Sequence, residues 1–524
     1  MRSAAPLLLL AFACACGGGG GTSSSSSPAP TPAAPAPPER AVSGATPFGA
    51  CGGAGGTLFA GAEVEPHLAA DPRDASHLVA AWQQDRWSNG SARALMAAAS
   101  FDGGTTWSVR ALPFSACAGE GAARGGNYLR TSDPWLSLGA DGTVFASAIS
   151  TAGGTFTPGS RNAVLVSRSA DGGRTWSDPA TLILDGEAFF NDKESVTADP
   201  ADARFVYAAW DRLAPDGSGA SYFARSTDGG ATWETPRVID DPGAGAQTIA
   251  NLVRVLPDGT LVCMLARLVG DEDRVTDAAI EVVRSRDRGV TWSAPIRVAA
   301  MQALGARDPV TGHAIRDGSI LAQMAVAPDG SLAIAWQDGR FTGARDAIAL
   351  ARSTDGGLTW SAPVRVNPDT STTAFTPQVH VRSDGTIGVG YYVLRADRPE
   401  GLAIPADFRL AQSIDGTHWT ESTVSAAFDL ALAPETTEGL FLGDYTGLAS
   451  AGADFLPLYA RTVSPANRTD IFLARVSGAA KRAAAQGAQA MPAIDRGADF
   501  GRRVAENLAR ARKGRLPPDA IMTR

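Results

Sequence analysis

The chain has 524 residues, a net charge of -8, 44% hydrophobic and 19% charged residues, 58 glycines and 33 prolines. That is apolar enough for a large core, too rich in glycine and proline for a coiled coil, and too acidic to bind nucleic acid. No apolar run is long enough to span a membrane as a helix, and the five cysteines and five histidines lack paired zinc-type spacing, so no metal or other cofactor is expected.

Taken in order, the N-terminus reads as an export signal. Arg2 precedes an apolar run over residues 6–13, and Cys14, Ala15, Cys16 and a glycine tract follow. A small residue directly before a cysteine resembles the lipobox of bacterial lipoproteins, and Cys14 and Cys16 both qualify as the lipidated residue. The resemblance implies a protein anchored by an N-terminal lipid to the bacterial cell envelope or outer membrane, with a cleaved, secreted protein as the alternative. Residues 1–16 form this segment, and residues 17–44 form a Gly/Ser and then Pro/Ala tether that holds the globular body off a membrane. Export places Cys51 and Cys117, both in Gly/Ala-rich loops, where a disulfide can close, whereas Cys263 inside the apolar stretch 261–265 reads as a buried thiol.

A repeat occupies residues 45–477. Ser100-Phe-Asp102-Gly-Gly-Thr-Thr106-Trp107 recurs around Asp171, Asp228, Asp287 and Asp355, and in a shortened form around Asp415, at intervals of 57 to 69 residues. The pattern suits a β-hairpin turn: the Asp accepts from turn N–H groups, the glycines take positive φ, and the Trp covers the hairpin. Short apolar runs and Asp-Gly or Asp-Pro turns surround each copy as in a four-stranded meander; the fourth repeat predicts strands over 251–256, 260–268, 279–284 and 294–298. The first-to-second turn occurs in seven units, and the last unit, 447–476, supplies three strands, so a segment before Glu63 is expected to complete it.

These six copies resemble the Asp box, or BNR repeat, of the sialidase superfamily. The resemblance implies an all-β fold, a single β-propeller; the turn count predicts seven blades, with the six of true sialidases as the alternative. A monomer is expected. The tail, 478–524, carries a net charge of about +6 against about -14 for the rest, and reads as mostly disordered, with a short amphipathic helix over 500–512 as the other reading.

Meander geometry sends the box turns to one face and collects the starts of first strands and ends of second strands on the other. Second strands end in Asp85-Arg86, Arg212, Arg267, Arg340, Arg395 and Arg461; first strands begin with Glu65-Pro-His67, Asp133-Pro-Trp135, Asp192-Lys193-Glu194, Thr376-Pro-Gln378 and Asp444-Tyr445. Two readings stay open: ion pairs stitching neighbouring blades, or an arginine-rich pocket for an anionic ligand, including Arg86. Sialidases hold a sugar carboxylate with three arginines and use a tyrosine nucleophile with a glutamate base and an aspartic acid. By that resemblance the catalytic residues are Tyr445, Glu194 or Glu438, and Asp85 or Asp133, with Arg212, Arg340 and Arg395 as clamps. The superfamily's Arg-Ile-Pro signature before the first box is absent here. Trp87 and Trp135 are the two tryptophans outside the repeats, and both suit stacking on a sugar ring. The partner implied is a carbohydrate or glycoconjugate. The function is then a glycan-binding or scaffold propeller, or, as the alternative, a divergent exo-sialidase-type glycoside hydrolase releasing an acidic sugar.

Overall fold

The computed structural model describes residues 38–53, 55–270 and 275–478. Cys14, Cys16, tether residues 17–37, and the basic tail with its expected helix lie outside the described residues.

Strand pairing arranges the chain as successive antiparallel meanders. The first is Leu58–Asp71, Asp74–Trp87, Ala92–Ser100 and Ser108–Ala111. The second is Arg130–Leu138, Val144–Ala152, Arg161–Ser169 and Ala180–Asp185, and the third Phe190–Ala198, Val206–Leu213, Gly219–Ser226 and Arg237–Asp240. Then come Ala246–Val255, Leu261–Gly270, Val275–Ser285 and Ile296–Ala300; Gln323–Val326, Leu332–Asp338, Ala347–Ser353 and Val364–Arg365; and Thr373–Val381, Ile387–Leu394, Pro405–Ser413 and Thr420–Thr423. The last meander has Gly447–Ala451, Asp454–Thr462 and Thr469–Ala474, and Glu39–Ala41 pairs antiparallel with Thr469–Ala474. First strands of successive meanders touch in chain order, and the last touches the first. The sheets therefore close around an axis, and the fold is an all-β propeller.

Several boundaries differ from the sequence expectation, among them the third strand of the fourth meander, which begins at Val275 and not at 279. Glu39–Ala41 falls in the segment read as tether, yet it is a strand: Glu39 accepts a hydrogen bond from Tyr459 Oη at 2.6 Å and pairs with Arg461 at 2.8 Å. In the fourth meander the first strand begins at Ala246 rather than 251, because a bulge between Ile249 and Leu252 lets pairing continue past an irregularity that looks like a strand end.

Second strands are buried almost without alternation, as in Leu78 through Trp87, because a neighbouring sheet covers each face. Alanines such as Ala80, Ala81, Ala97 and Ala98 keep these sheets close. Trp82, Trp210 and Trp336 are buried within the strands and satisfy their indole N–H groups toward the site face, donating to Gln84 Oε1 at 3.0 Å, Asn191 Oδ1 at 2.9 Å and Asp338 Oδ2 at 2.7 Å.

On the opposite face, Asp102 Oδ1 accepts from the N–H groups of Thr105 and Thr106 at 2.9 Å each, Oδ2 accepts from Thr106 Oγ1 at 2.6 Å, and Ser100 Oγ accepts from Gly104 N at 2.8 Å. Asp171, Asp228, Asp287 and Asp355 repeat the arrangement, and Asp415 makes a shortened version with Thr417 and His418. These turns also join sheets. Gly104 has φ 88°, and a Cβ there would lie 2.4 Å from Leu473 Cδ2 of the last meander; at Gly230 it would lie 2.6 Å from Phe145 of the second. Each turn thus docks on the preceding sheet, and Arg475 Nη2 closes the circuit by donating to Gly103 O at 3.1 Å.

Candidate functional site

The site begins with a repeated backbone irregularity. In five first strands the register slips by one residue, at Val64/His67, Ser132/Trp135, Asp192/Ser195, Ile249/Leu252 and Phe375/Gln378. Within these bulges Glu65, Asp133, Lys193, Ala250 and Thr376 have φ of 53, 56, 45, 62 and 49°. A left-handed non-glycine residue costs on the order of 1–3 kcal/mol, and bulges commonly re-aim side chains near functional sites. Here they gather charged groups at the axis.

Lys193 stands at the centre. Its Nζ lies 2.9 Å from Asp444 Oδ2, 3.3 Å from Asp133 Oδ1 and 3.9 Å from Glu65 Oε1, and all four residues are buried. Burial opposes the ammonium, but Asp133, Asp444 and Glu65 more than offset it and hold its pKa well above the usual lysine value. Arg316, brought in by the strand Ile315–Arg316 that pairs with Gly439–Phe441, grips Asp444 through Nε at 3.1 Å and Nη2 at 2.7 Å and reaches Glu438 at 3.1 Å. Arg316 and Arg86 both stand over the Phe441 ring, with guanidinium-to-centroid distances of 4.5 and 4.2 Å. Arg86 also donates to Gln83 Oε1 at 2.6 Å, and Gln83 in turn bonds Glu65.

Beside this cluster lies a small cavity lined by Asp133, Trp135, Glu194, Asn251, Gln323 and Tyr445, among others. Trp135 packs against His67 at 4.1 Å and edge-on against Tyr445 at 5.5 Å between ring centroids. Burial pushes His67 down to about 3, so the imidazole is neutral, and it accepts from Leu136 N through Nδ1 at 3.2 Å. The two carboxyls on the cavity are driven apart. Burial, reinforced by Asp133, raises Glu194 well above the carboxylate range; burial also works against ionised Asp133, but Lys193 together with hydrogen bonds from Glu65 and Ser132 outweighs it and lowers that pKa. One acid is thus pushed toward its protonated form and the other toward its ionised form, an arrangement that can divide acid and base roles. Burial, and then the nearby carboxyls, raise the Tyr445 phenol well above its ordinary value, and its hydroxyl donates to Pro134 O at 3.3 Å.

The structure therefore brings Tyr445, Glu194, Asp133 and Trp135 to one cavity. It places Asp85 elsewhere: buried, accepting from Thr46 Oγ1 at 2.6 Å and Gly61 N at 2.9 Å, and paired with Arg93 at 3.2 Å. Trp87 carries Arg130 over its ring at 4.8 Å and does not line the cavity. Glu438 is held by Arg316.

The remaining rim arginines are spoken for. Arg212 clasps Asp185 of the preceding meander at 2.7 and 2.8 Å, and Arg267 pairs with Asp240 of the preceding meander and with Glu281, both at 2.6 Å. Arg340 bonds Asp338 at 2.8 Å and the carbonyl of Ala300, and Arg395 holds Asp397 at 2.6 Å and Asp407 at 3.1 Å. Of the two readings of the rim, this geometry is that of ion pairs within and between sheets.

Cys51 and Cys117 form a disulfide with Cα atoms 5.5 Å apart, and Cys263 is free and buried. Among the described residues no cluster of His, Cys, Asp or Glu is arranged for a metal ion. Sequence reasoning did not single out Arg316, Asn251 or Gln323, and it named Lys193 without giving it a role.

No protein-family model and no curated protein matches the chain. Among solved structures, it is similar to a Hadza microbial sialidase at 17% identity, covering 77% of this chain and 74% of that one, with a TM-score of 0.43. It is also similar to a leech intramolecular trans-sialidase at 12% identity, covering 82% and 92%, TM-score 0.42, and to an α-L-arabinofuranosidase of Fusarium graminearum at 13% identity, covering 66% and 93%, TM-score 0.41. No residue role is carried over from them.

Proposed function

We propose that this protein is an exported, lipid-anchored propeller of seven blades that binds glycans at its axial face without cleaving them. The observation that carries this reading is the state of the rim: Arg212, Arg340 and Arg395, the clamps that acidic-sugar hydrolysis would need, each hold a carboxylate of their own chain. The seven-blade reading is supported by the circuit of contacting first strands and by the pairing of Glu39–Ala41 with the last sheet. Export is supported by the signal-like N-terminus and by the disulfide between Cys51 and Cys117.

A second reading, a divergent exo-sialidase-type hydrolase, is favoured by one observation: Tyr445, Glu194 and Asp133 share a cavity, with the two carboxyls shifted in opposite directions. A fluorogenic sialoside assay separates the two. The expected result is no turnover, together with glycan-array binding that Trp135→Ala abolishes. Turnover that disappears in Tyr445→Phe while the unfolding midpoint holds would reject the binding-only reading.

A further inference from the structure

We propose that the axial cavity receives the terminal ring of a neutral, hydroxyl-rich sugar and excludes acidic sugars; this deepens the glycan-binding reading and rests on it. Three residues on the cavity wall each carry a buried polar atom with no hydrogen-bond partner among the described residues: Glu194 Oε2, Asn251 Nδ2 and Gln323 Oε1. All three residues are more than nine-tenths buried, at 3%, 1% and 4% exposure. A buried polar atom left unpaired costs about 1–3 kcal/mol, so three around one cavity mark a place where a ligand's hydrogen bonds are missing.

Their chemistry specifies that ligand. An amide N–H donor, an amide carbonyl acceptor and a carboxyl group match hydroxyls, which both donate and accept. Trp135, Leu252 and Leu321 supply the apolar wall that covers the C–H face of a sugar ring.

Charge rules out an acidic ring. Lys193, the one cation on the wall, is already surrounded by Asp444, Asp133 and Glu65 within 3.9 Å. The wall offers acidic groups instead of a free cation: Asp133 and Glu194 line the cavity and Asp444 lies 2.9 Å from Lys193, so a sugar carboxylate there would meet carboxyls. The rim arginines cannot compensate without abandoning their own carboxylates.

The test uses the full chain on a glycan array carrying terminal neutral hexoses and pentoses beside sialylated and uronic-acid-terminated glycans. The expected result is binding to neutral termini, weakened about tenfold or more in both Asn251→Leu and Gln323→Leu without a matching fall in unfolding midpoint. If either leucine variant fails to fold, Ala322→Leu, which fills the cavity from an apolar wall, must abolish the same binding. Binding restricted to acidic glycans overturns this inference and leaves the glycan-binding reading standing. Neutral binding that no cavity variant weakens also overturns it, because the ligand then sits elsewhere. A folded chain that binds no glycan sinks both.

Discussion

On the face of the box turns, Asp102, Asp228 and Asp355 are exposed carboxylates held at about 2 by hydrogen bonds, first from the Thr hydroxyl four residues on and then from backbone N–H groups. On the axial face Glu63 and Asp346 are pushed up to about 9 and about 7 by burial, and then by Asp470 and Asp317 respectively. The same chemical group is thus used in two ways within one fold. The exposed face repeats one residue in one geometry from sheet to sheet, and that uniformity belongs to the scaffold. The axial face repeats only the backbone: at equivalent bulges the side chains are Glu65, Asp133, Lys193, Ala250 and Thr376. Where the backbone is constant and the side chain varies, the side chains are free to build one specific site.

The strongest way to break this comparison is to remove the central cation. Lys193→Met leaves Asp133, Asp444 and Glu65 crowded without their shared partner, and we expect a loss of about 3–5 kcal/mol in urea unfolding at neutral pH, the usual result of breaking a buried ion pair from one side. A loss below about 1 kcal/mol would mean that water reaches the cluster and that the axial face is no more buried than the box face.

Next comes pH. A carboxyl raised to about 7 in the folded protein binds its proton more tightly there than in the unfolded chain, so stability falls as pH rises from 3.8 through 7. For Asp346 the change is on the order of 4 kcal/mol over that window. Asp346→Asn should flatten the slope between pH 4.5 and 8 while lowering stability throughout, because both carboxylate oxygens accept backbone N–H groups, from Leu304 at 2.7 Å and Gly305 at 2.6 Å, and an amide cannot. The box carboxylates act in the opposite direction: their contribution is complete above 3.8 and is lost as pH falls through about 2. An unchanged slope in Asp346→Asn would remove Asp346 from the buried acids of the axial face.

The box face was legible in the sequence because repetition is a signal in itself, and the turn geometry follows from Ser, Asp, Gly and Thr at fixed offsets. The rim arginines were legible as a group, but not their partners. Asp185 and Asp240 end outer strands of preceding meanders, and nothing local marks them as the partners of Arg212 and Arg267. The bulges were hidden because their left-handed positions hold Glu, Asp, Lys, Ala and Thr instead of the glycine that would announce them. Arg316 lies in a two-residue strand between the fourth and fifth meanders, outside the repeat pattern, and Asn251 and Gln323 matter for a missing partner, which only three dimensions reveal. Lys193 did leave a trace: between residues 17 and 478 every other basic side chain of the Lys/Arg class is arginine. Arginine suits bidentate pairing at the rim, whereas a compact ammonium can sit among three carboxylates at once.

The smallest effect belongs to a single box. Asp355 accepts from Leu358 N at 3.0 Å, Thr359 N at 2.9 Å and Thr359 Oγ1 at 2.5 Å, but the turn is exposed, so water replaces much of what Asp355→Ala removes. We expect a loss of about 1 kcal/mol, measured by urea unfolding. The sharper measurement is the double variant with Asp171→Ala. The two carboxylates serve different turns and share no hydrogen-bond partner, so their losses should add to within about 0.5 kcal/mol. Additivity would mean that each box holds its own hairpin against the preceding sheet and nothing more. A double loss well beyond the sum would mean that the turns act together around the ring, through inter-sheet bonds such as Arg475 to Gly103 and Arg168 to Gly229. The box face would then be a cooperative structure like the axial one, and the division between a face of independent repeats and a face of coupled charges would fail.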